Sequence, residues 1–248
     1  MKKLFLMVVL LLAVVATGCK GNPSGSASDA SSASKAGTTA NSDADALIDE
    51  LIEVTDMKNS VEATLNSFLS QMGLGLKDKE LVAKVLDELP QITKEVYSKN
   101  FSYDELKELL EMSKDEINQK MMKKLPQIME ESMAEGKNFA LGQQSPTANM
   151  SVPDDFKAAM KDYFEAQELG KQMEQINQML GGDASLDGAL PDITTRIFSK
   201  YFTVDEIKHV TELSKLPIAK KMRDKQLPMA QEINEKIQKI IEDYMKSK

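Results

Sequence analysis

A segment of 32 residues occurs twice in this chain, at a constant separation of 101 residues. Residues 89–120 and 190–221 align without a gap and are identical at 15 of the 32 positions. Self-similarity of this kind indicates that one structural unit is present twice. The sequence therefore predicts two homologous domains, 44–138 and 152–248, connected by a joint at 139–151. We call the stretch 44–138 the first repeat and the stretch 152–248 the second repeat.

Both repeats have the pattern of amphipathic helices. Apolar residues recur at spacings of three and four, as on the buried face of a helix, and no stretch shows the sustained alternation of a half-buried strand. Pro126 and Pro228 predict the start of the last helix in each repeat, because proline is tolerated in a first helical turn but not deeper. The fold class predicted is all-α, with four or five short helices in each domain.

Matched motifs mark the start of the central helix in each repeat. Residues 102–105 (Ser-x-x-Glu) and 203–206 (Thr-x-x-Glu) form capping boxes, in which a hydroxyl and a carboxylate each satisfy one free amide of the first turn. Phe101 and Phe202 directly precede these boxes, and we expect both rings to lie in the core. Residues 113–116 (Ser-x-x-Glu) predict a further box at the start of the next helix.

The N-terminus has the order of a signal peptide followed by a tether. A basic start and an apolar run at 4–15 lead through small residues directly to Cys19, which resembles the lipobox of bacterial lipoproteins. The run is shorter than the roughly 20 residues that span a bilayer, so we interpret 1–18 as a cleaved leader. We expect Cys19 to carry lipid and residues 19–43, rich in Ser, Ala, Gly and Thr, to form a flexible linker.

This anchor also sets the expected location and partners. Lys20 stands where an Asp would resemble an inner-membrane retention signal, so the expected location is the outer membrane, facing the periplasm of a bacterial cell envelope. The chain has 39 acidic residues against 31 basic ones, a balance that works against binding of nucleic acid and anionic headgroups. We expect membrane attachment through the N-terminal lipid alone, and no nucleic-acid partner.

The repeated segment resembles a family of bacterial envelope proteins, the domain-of-unknown-function family numbered twenty fifty-nine. The resemblance rests on an aromatic residue, a short basic step, Phe-Thr, an acidic pair, and a helix that ends at a Ser-Pro turn. It covers 97–120 and, closer to the pattern, 198–221; Asp115-Glu116 stands in the first repeat where a proline is usual. The resemblance implies all-helical envelope domains and no established activity.

Residues that support common catalytic sites are few. His209 is the only histidine, and because Glu108 takes its place in the first repeat we expect it to face solvent. One histidine excludes the H-E-x-x-H zinc motif, and neither a phosphate-binding loop nor a nucleophile elbow occurs. Paired carboxylates such as Glu130, Glu131 and Glu135 leave open an enzyme acting on peptidoglycan, although the chain has no tryptophan to bind glycan. No cofactor and no metal is predicted.

The functional prediction rests on the two repeats and on 16 methionines. Most methionines are expected to fill the core, but thioethers also suit adaptable apolar contacts. We predict a non-catalytic interaction or assembly module that binds a protein or hydrophobic partner in a groove between the domains. The expected contributors are Met121, Met122, Met222 and Met229. A peptidoglycan-acting enzyme and a carrier of a hydrophobic ligand are the alternatives.

Overall fold

The computed structural model describes residues 39–71, 79–143, 146–168 and 185–247. These residues form nine α-helices and no strand, so the all-α prediction is confirmed. In chain order the helices are α1 Thr39–Val54, α2 Met57–Gln71, α3 Lys79–Asn100, α4 Tyr103–Lys114, α5 Glu116–Ala140, α6 Asp154–Ala166, α7 Ser185–Phe198, α8 Val204–Ser214 and α9 Pro217–Ser247. The leader, Cys19 and most of the linker predicted at 19–43 lie outside the described residues, and α1 begins within the last part of that linker.

The repeated segment carries the same succession of helices both times. Helices α4 and α8 begin 101 residues apart, at Tyr103 and Val204, and helices α5 and α9 also begin 101 residues apart, at Glu116 and Pro217. One offset therefore relates equivalent positions in all of these helices. None of the nine has the length and apolar content that a membrane crossing requires.

Prolines lie inside four of the helices. Pro90 is in α3, Pro126 in α5, Pro191 in α7 and Pro228 in α9. The prediction that Pro126 and Pro228 begin the last helices is therefore wrong, since both helices begin well upstream. An internal proline removes one helical hydrogen bond and crowds the carbonyl four residues earlier. Burial of apolar side chains around them, such as Met229 at 1% exposure, offsets that cost.

The helices pack into two compact units whose bounds differ from those of the repeats. The first unit contains the chain up to Lys114 together with Pro217–Lys248, and the second unit is Asp115–Leu216. The predicted domains, 44–138 and 152–248, would each keep their own last helix. Instead α5 packs on α7 and α8, while α9 packs on α3 and α4. The last helix of each repeat completes the core made by the earlier helices of the other repeat.

The lengths of the connections help to explain this exchange. One residue, Asp115, separates α4 from α5, and two residues, Lys215 and Leu216, separate α8 from α9. Antiparallel helical hairpins use loops of about two to five residues. A connection at or below that minimum disfavours folding α5 back onto α4, or α9 back onto α8, so each long helix leaves the unit in which the preceding helix lies.

The two cores are built from equivalent positions. In the first unit α1 and α2 pack on α3, α1 also packs on α4, and α9 closes the core. In the second unit α6 packs on α8, and α5 closes the core against α7. Phe101 and Phe202 are 4% and 5% exposed, so their predicted burial is confirmed. Each ring contacts the aromatic residue four positions earlier, Tyr97 or Phe198, with centroids 5.8 Å apart in both units.

Candidate functional site

In the first unit a lysine of α9 binds the capping box of α4. The box is present as predicted: the Ser102 amide donates to Glu105 Oε2 at 2.8 Å, and the Glu105 amide donates to Ser102 Oγ at 3.4 Å. Lys221 Nζ donates to both oxygens of Glu105, at 2.6 and 2.8 Å, and lies 5.3 Å from the centroid of Phe101. The hydrogen bonds from Lys221 and from the Ser102 amide lower the pKa of Glu105. The carboxylate thus caps α4 and binds α9 at the same time.

The second unit repeats this arrangement with the repeats exchanged. Thr203 and Glu206 form the predicted capping box of α8. Lys120 of α5 donates to Glu206 Oε1 at 2.7 Å and lies 5.1 Å from the centroid of Phe202. Burial acts to raise the pKa of Glu206, but hydrogen bonds from Lys120 and the Thr203 amide outweigh it, so the pKa is lowered. We call these two clusters the Lys–Glu–Phe sites.

We call α5 and α9 the exchanged helices. We call the contact of α9 with α3 and α4 the seam of the first unit, and the contact of α5 with α7 and α8 the seam of the second unit. A second ion pair lies along each seam. In the first unit Lys99 of α3 donates to Glu232 of α9 at 2.8 Å, and in the second unit Lys200 donates to Glu131 of α5 at 3.0 Å. Both lysines lie shortly before the capping box of their own repeat in the sequence. Their observed partners lie on the exchanged helix, more than 65 residues away in sequence.

The seams differ at the position after each of these lysines. In the first unit Asn100 is part-buried and donates from Nδ2 to the Val96 carbonyl, one turn back on the same helix, at 2.7 Å. In the second unit the equivalent residue is Tyr201, whose hydroxyl donates to Glu131 and whose ring lies 5.2 Å from Lys124 Nζ. An aromatic ring therefore stands in the second unit where the first unit has a short amide.

An open groove of about 560 Å³ lies beside Lys99 in the first unit. Its walls come from the end of α3 and from one face of α9, and they carry both signs of charge. The lining residues are Lys99, Pro228, Gln231, Glu232, Glu235, Lys236 and Lys239. Lys236 is itself bound to Glu95 at 2.6 Å. Three charged residues of the groove are therefore already paired within the first unit: Lys99 with Glu232, and Lys236 with Glu95.

Glu131 was one of the carboxylates considered for acid–base chemistry. Its pKa is lowered, first by the hydrogen bond from Tyr201 and further by those from Lys200 and Gln127. The same contact raises the pKa of Tyr201. A glycosidase general acid needs a raised pKa, so that it holds a proton at neutral pH. The surroundings of Glu131 therefore fit an ion pair that docks α5 better than they fit a general acid.

The sequence predicted that His209 faces solvent, but in the structure its ring contacts Asp115. Its side chain is 29% exposed, and Nε2 lies 2.8 Å from Asp115 Oδ2. The other oxygen of Asp115 accepts hydrogen bonds from two amides in the first turn of α5. Asp115 is thus the N-cap of α5, and the predicted box at Ser113 is wrong: Ser113 is buried, and its hydroxyl donates to the Leu109 carbonyl. Asp115 directly precedes the first residue of α5, whereas Ser113 lies two residues earlier, so the aspartate caps the helix.

The methionines proposed for a partner groove lie mainly inside the units. Met121 is 2% exposed in the second unit, while Met222 and Met229 are 0% and 1% exposed in the first; Met122 is partly exposed. The three buried thioethers fill cores, the commonest role of methionine. The groove between the predicted domains stays a prediction. Within the described residues, no group of three or more His, Cys, Asp or Glu side chains is placed to hold a metal ion.

Comparison with known proteins gives one family. Residues 87–140 match the family described as "Uncharacterized protein conserved in bacteria (DUF2059)", which supports the resemblance within the first repeat. No curated protein and no solved structure matches the chain. The matched segment covers part of α3 and all of α4 and α5, and it passes from the first unit into the second after Lys114. The family segment is therefore not a compact unit by itself in this chain.

Proposed function

We propose that this chain is a lipid-anchored protein of the bacterial cell envelope whose helical units serve interaction or assembly. The lipid anchor is supported by the leader pattern that ends at Cys19, and the non-catalytic part is carried by the use of ionisable side chains at both seams. Glu105, Glu131 and Glu206 each bind a lysine that lies outside their own helix, and all three have lowered pKa values. Groups tied up in this way hold helices together, whereas acid–base catalysis needs carboxylates whose environments separate their pKa values.

The groove of the first unit is the surface we propose for the partner. It is open, and its lining contains three lysines and two glutamates: Lys99, Lys236, Lys239, Glu232 and Glu235. Such a surface favours a polar segment of a protein over an apolar ligand. The carrier alternative needs a dry cavity lined by methionine, whereas this groove is open and no methionine lines it.

Site-specific photo-crosslinking in intact cells tests this surface. Probes at Gln231 and Glu235 should capture one discrete partner protein. Matched controls are Glu130 and Ala134, which are exposed residues 101 positions earlier on α5 in the second unit. Equal capture from both pairs would contradict a specific groove. Cleavage of peptidoglycan by the purified chain would contradict the non-catalytic function, and the enzyme alternative would replace it.

The anchor is tested at Cys19. Cys19→Ala should release the protein from membranes and abolish palmitate labelling, because no other thiol exists in the chain. Ser26→Ala, in the same linker, is the matched control and should stay with membranes. A Cys19→Ala variant that remains membrane-bound would contradict the anchor.

The outer-membrane assignment is a separate part of the proposal. The native chain should fractionate with outer membranes, and Lys20→Asp should move it to inner membranes in bacteria that sort lipoproteins by this residue. Recovery of the native chain with inner-membrane vesicles would refute the assignment and leave the anchor intact.

A further inference from the structure

Two of the ion pairs along each seam are the same in both units. Lys221–Glu105 in the first unit corresponds to Lys120–Glu206 in the second. The Lys99 pair of the first unit likewise corresponds to the Lys200 pair of the second. If α5 docked on α3 and α4, or α9 on α7 and α8, each lysine would still meet a glutamate. These pairs therefore favour docking of a terminal helix without selecting which repeat accepts it.

The third charged position along the seam has opposite signs in the two units. In the first unit Glu95 of α3 accepts a hydrogen bond from Lys236 of α9 at 2.6 Å. In the second unit the residue equivalent to Glu95 is Arg196 of α7, and the residue equivalent to Lys236 is Glu135 of α5. Arg196 Nε donates to Thr147 Oγ1 at 3.3 Å, and the same hydroxyl donates to Glu135. Each seam thus has one acidic and one basic residue at this position, joined directly in the first unit and through Thr147 in the second. Arg196 Nη1 also pairs with Asp192 of its own helix at 2.6 Å.

Because of this reversal, docking of α5 or α9 on the earlier helices of its own repeat would bring like charges together. Helix α5 on α3 would bring Glu135 next to Glu95, and helix α9 on α7 would bring Lys236 next to Arg196. Glu135 is only 5% exposed, so separation from the Thr147 hydroxyl, which links it to Arg196, would cost free energy by leaving a desolvated carboxylate. Repulsion against the wrong partner is the means by which many natural interfaces obtain specificity.

We propose that Glu95, Lys236, Arg196 and Glu135 form a pairing code between the repeats. The face of α3 and α4 accepts α9 and rejects α5, and the face of α7 and α8 accepts α5 and rejects α9. The short connections already restrain α5 and α9 within one molecule. They place no restraint on a helix from a second molecule, so the code acts chiefly there, by blocking exchange of like helices between two copies of this chain.

Zero-length carbodiimide crosslinking of the full chain, followed by peptide mass spectrometry, reads out the pairing. Among links to the two capping glutamates, the native chain should give Lys221–Glu105 and Lys120–Glu206 and neither own-repeat link. The double variant Glu95→Arg/Lys236→Glu keeps opposite charges in the observed pairing and makes own-repeat pairing attractive as well. It should yield Lys120–Glu105 and Lys221–Glu206 links, with dimers on size-exclusion chromatography. We expect the ratio of own-repeat to exchanged links to rise about tenfold, as two opposed pairs become two attractive ones.

The matched control reverses a pair that is alike in both units. Lys99→Glu/Glu232→Lys changes the same number of charges, keeps the observed pairing attractive and makes own-repeat pairing repulsive. It should therefore give the native links and no dimer. The code is overturned if Glu95→Arg/Lys236→Glu gives only native links, because connection length alone would then decide. It is equally overturned if that variant loses its helical circular dichroism, or if the control forms own-repeat links.

Discussion

The two units bind their exchanged helices through the same contacts and differ at the neighbouring positions. In both, a lysine of the exchanged helix binds the capping glutamate and lies over the phenylalanine that precedes the box. At the position directly before each phenylalanine, the first unit has Asn100 and the second has Tyr201, which is bound to Glu131. The first unit also has an open groove beside Lys99. The motif residues thus fix how the helices dock, and the neighbouring positions are free to differ. A difference in function between the units is expected at those neighbours.

The cores show a second contrast, again at equivalent positions. Tyr97 is fully buried in the first unit, and its hydroxyl finds no hydrogen-bond partner among the described residues. Burial raises the pKa of this phenol. The second unit has Phe198 there, which packs against Tyr163 and Phe202 with centroids 5.9 and 5.8 Å away. An unpaired buried hydroxyl is destabilising, so the first unit is less well optimised at this point.

The largest expected effect tests whether the shared plan stabilises both units equally. Phe101→Ala and Phe202→Ala should each lower the free energy of unfolding by about 3–5 kcal/mol, because each empties a buried site under a lysine. Urea denaturation followed by circular dichroism measures both changes. Tyr103→Ala is the control within the same motif: its ring is 46% exposed, and we expect almost no change. A large cost in one unit alone would show that the two docking sites are not equivalent.

The next effect sharpens the contrast between the cores. Tyr97→Phe should stabilise the chain by about 1 kcal/mol, because it removes a buried hydroxyl that lacks a partner. Phe198→Tyr should destabilise it by about 1–3 kcal/mol, because it introduces such a group. Thermal unfolding of the two variants beside the native chain measures both signs. A destabilised Tyr97→Phe chain would mean that the hydroxyl has a partner, and the contrast would disappear.

Local features of the fold were predictable from the sequence. Helix periodicity, the boxes at 102–105 and 203–206 and the burial of Phe101 and Phe202 depend on residues that are close together in the chain. The box predicted at Ser113 failed for a local reason as well, because Asp115 competes for the same amides and lies nearer to them. The helices that contain Pro126 and Pro228 continue through these residues because tertiary burial outweighs the loss of one hydrogen bond.

The exchange of helices was not predicted, because no local pattern encodes it. The partners Lys221 and Glu105 are 116 residues apart. A signal was nevertheless present in the repeat alignment. Glu95 becomes Arg196 while, at the same offset, Glu135 becomes Lys236. Residues of the same repeat carry like charges at these two positions, whereas residues of different repeats carry opposite charges, which matches the observed pairing.

The smallest effect concerns the pH dependence of the two seams. The pKa values of Glu105 and Glu206 are lowered in the folded chain, whereas the pKa of a glutamate in the unfolded chain is about 4.3. Their contribution is therefore fully present above that unfolded value, and it is lost as the pH falls through the lowered folded values. Both carboxylates are partly solvated, so each pair is worth only about 0.2–1 kcal/mol.

Thermal unfolding between pH 7 and pH 3 compares the two units through matched variants. Glu105→Gln and Glu206→Gln should each lower the stability slightly at pH 7 and reduce the further loss in acid, because the group that takes up the proton is gone. Glu88→Gln, at an exposed position of α3, should leave the acid response unchanged. Higher salt should shrink the differences at pH 7, since partly exposed pairs are screened. If Glu105→Gln and Glu206→Gln keep the full acid response, the acid sensitivity arises elsewhere, and the Lys–Glu–Phe sites act through the packing of lysine on phenylalanine more than through charge.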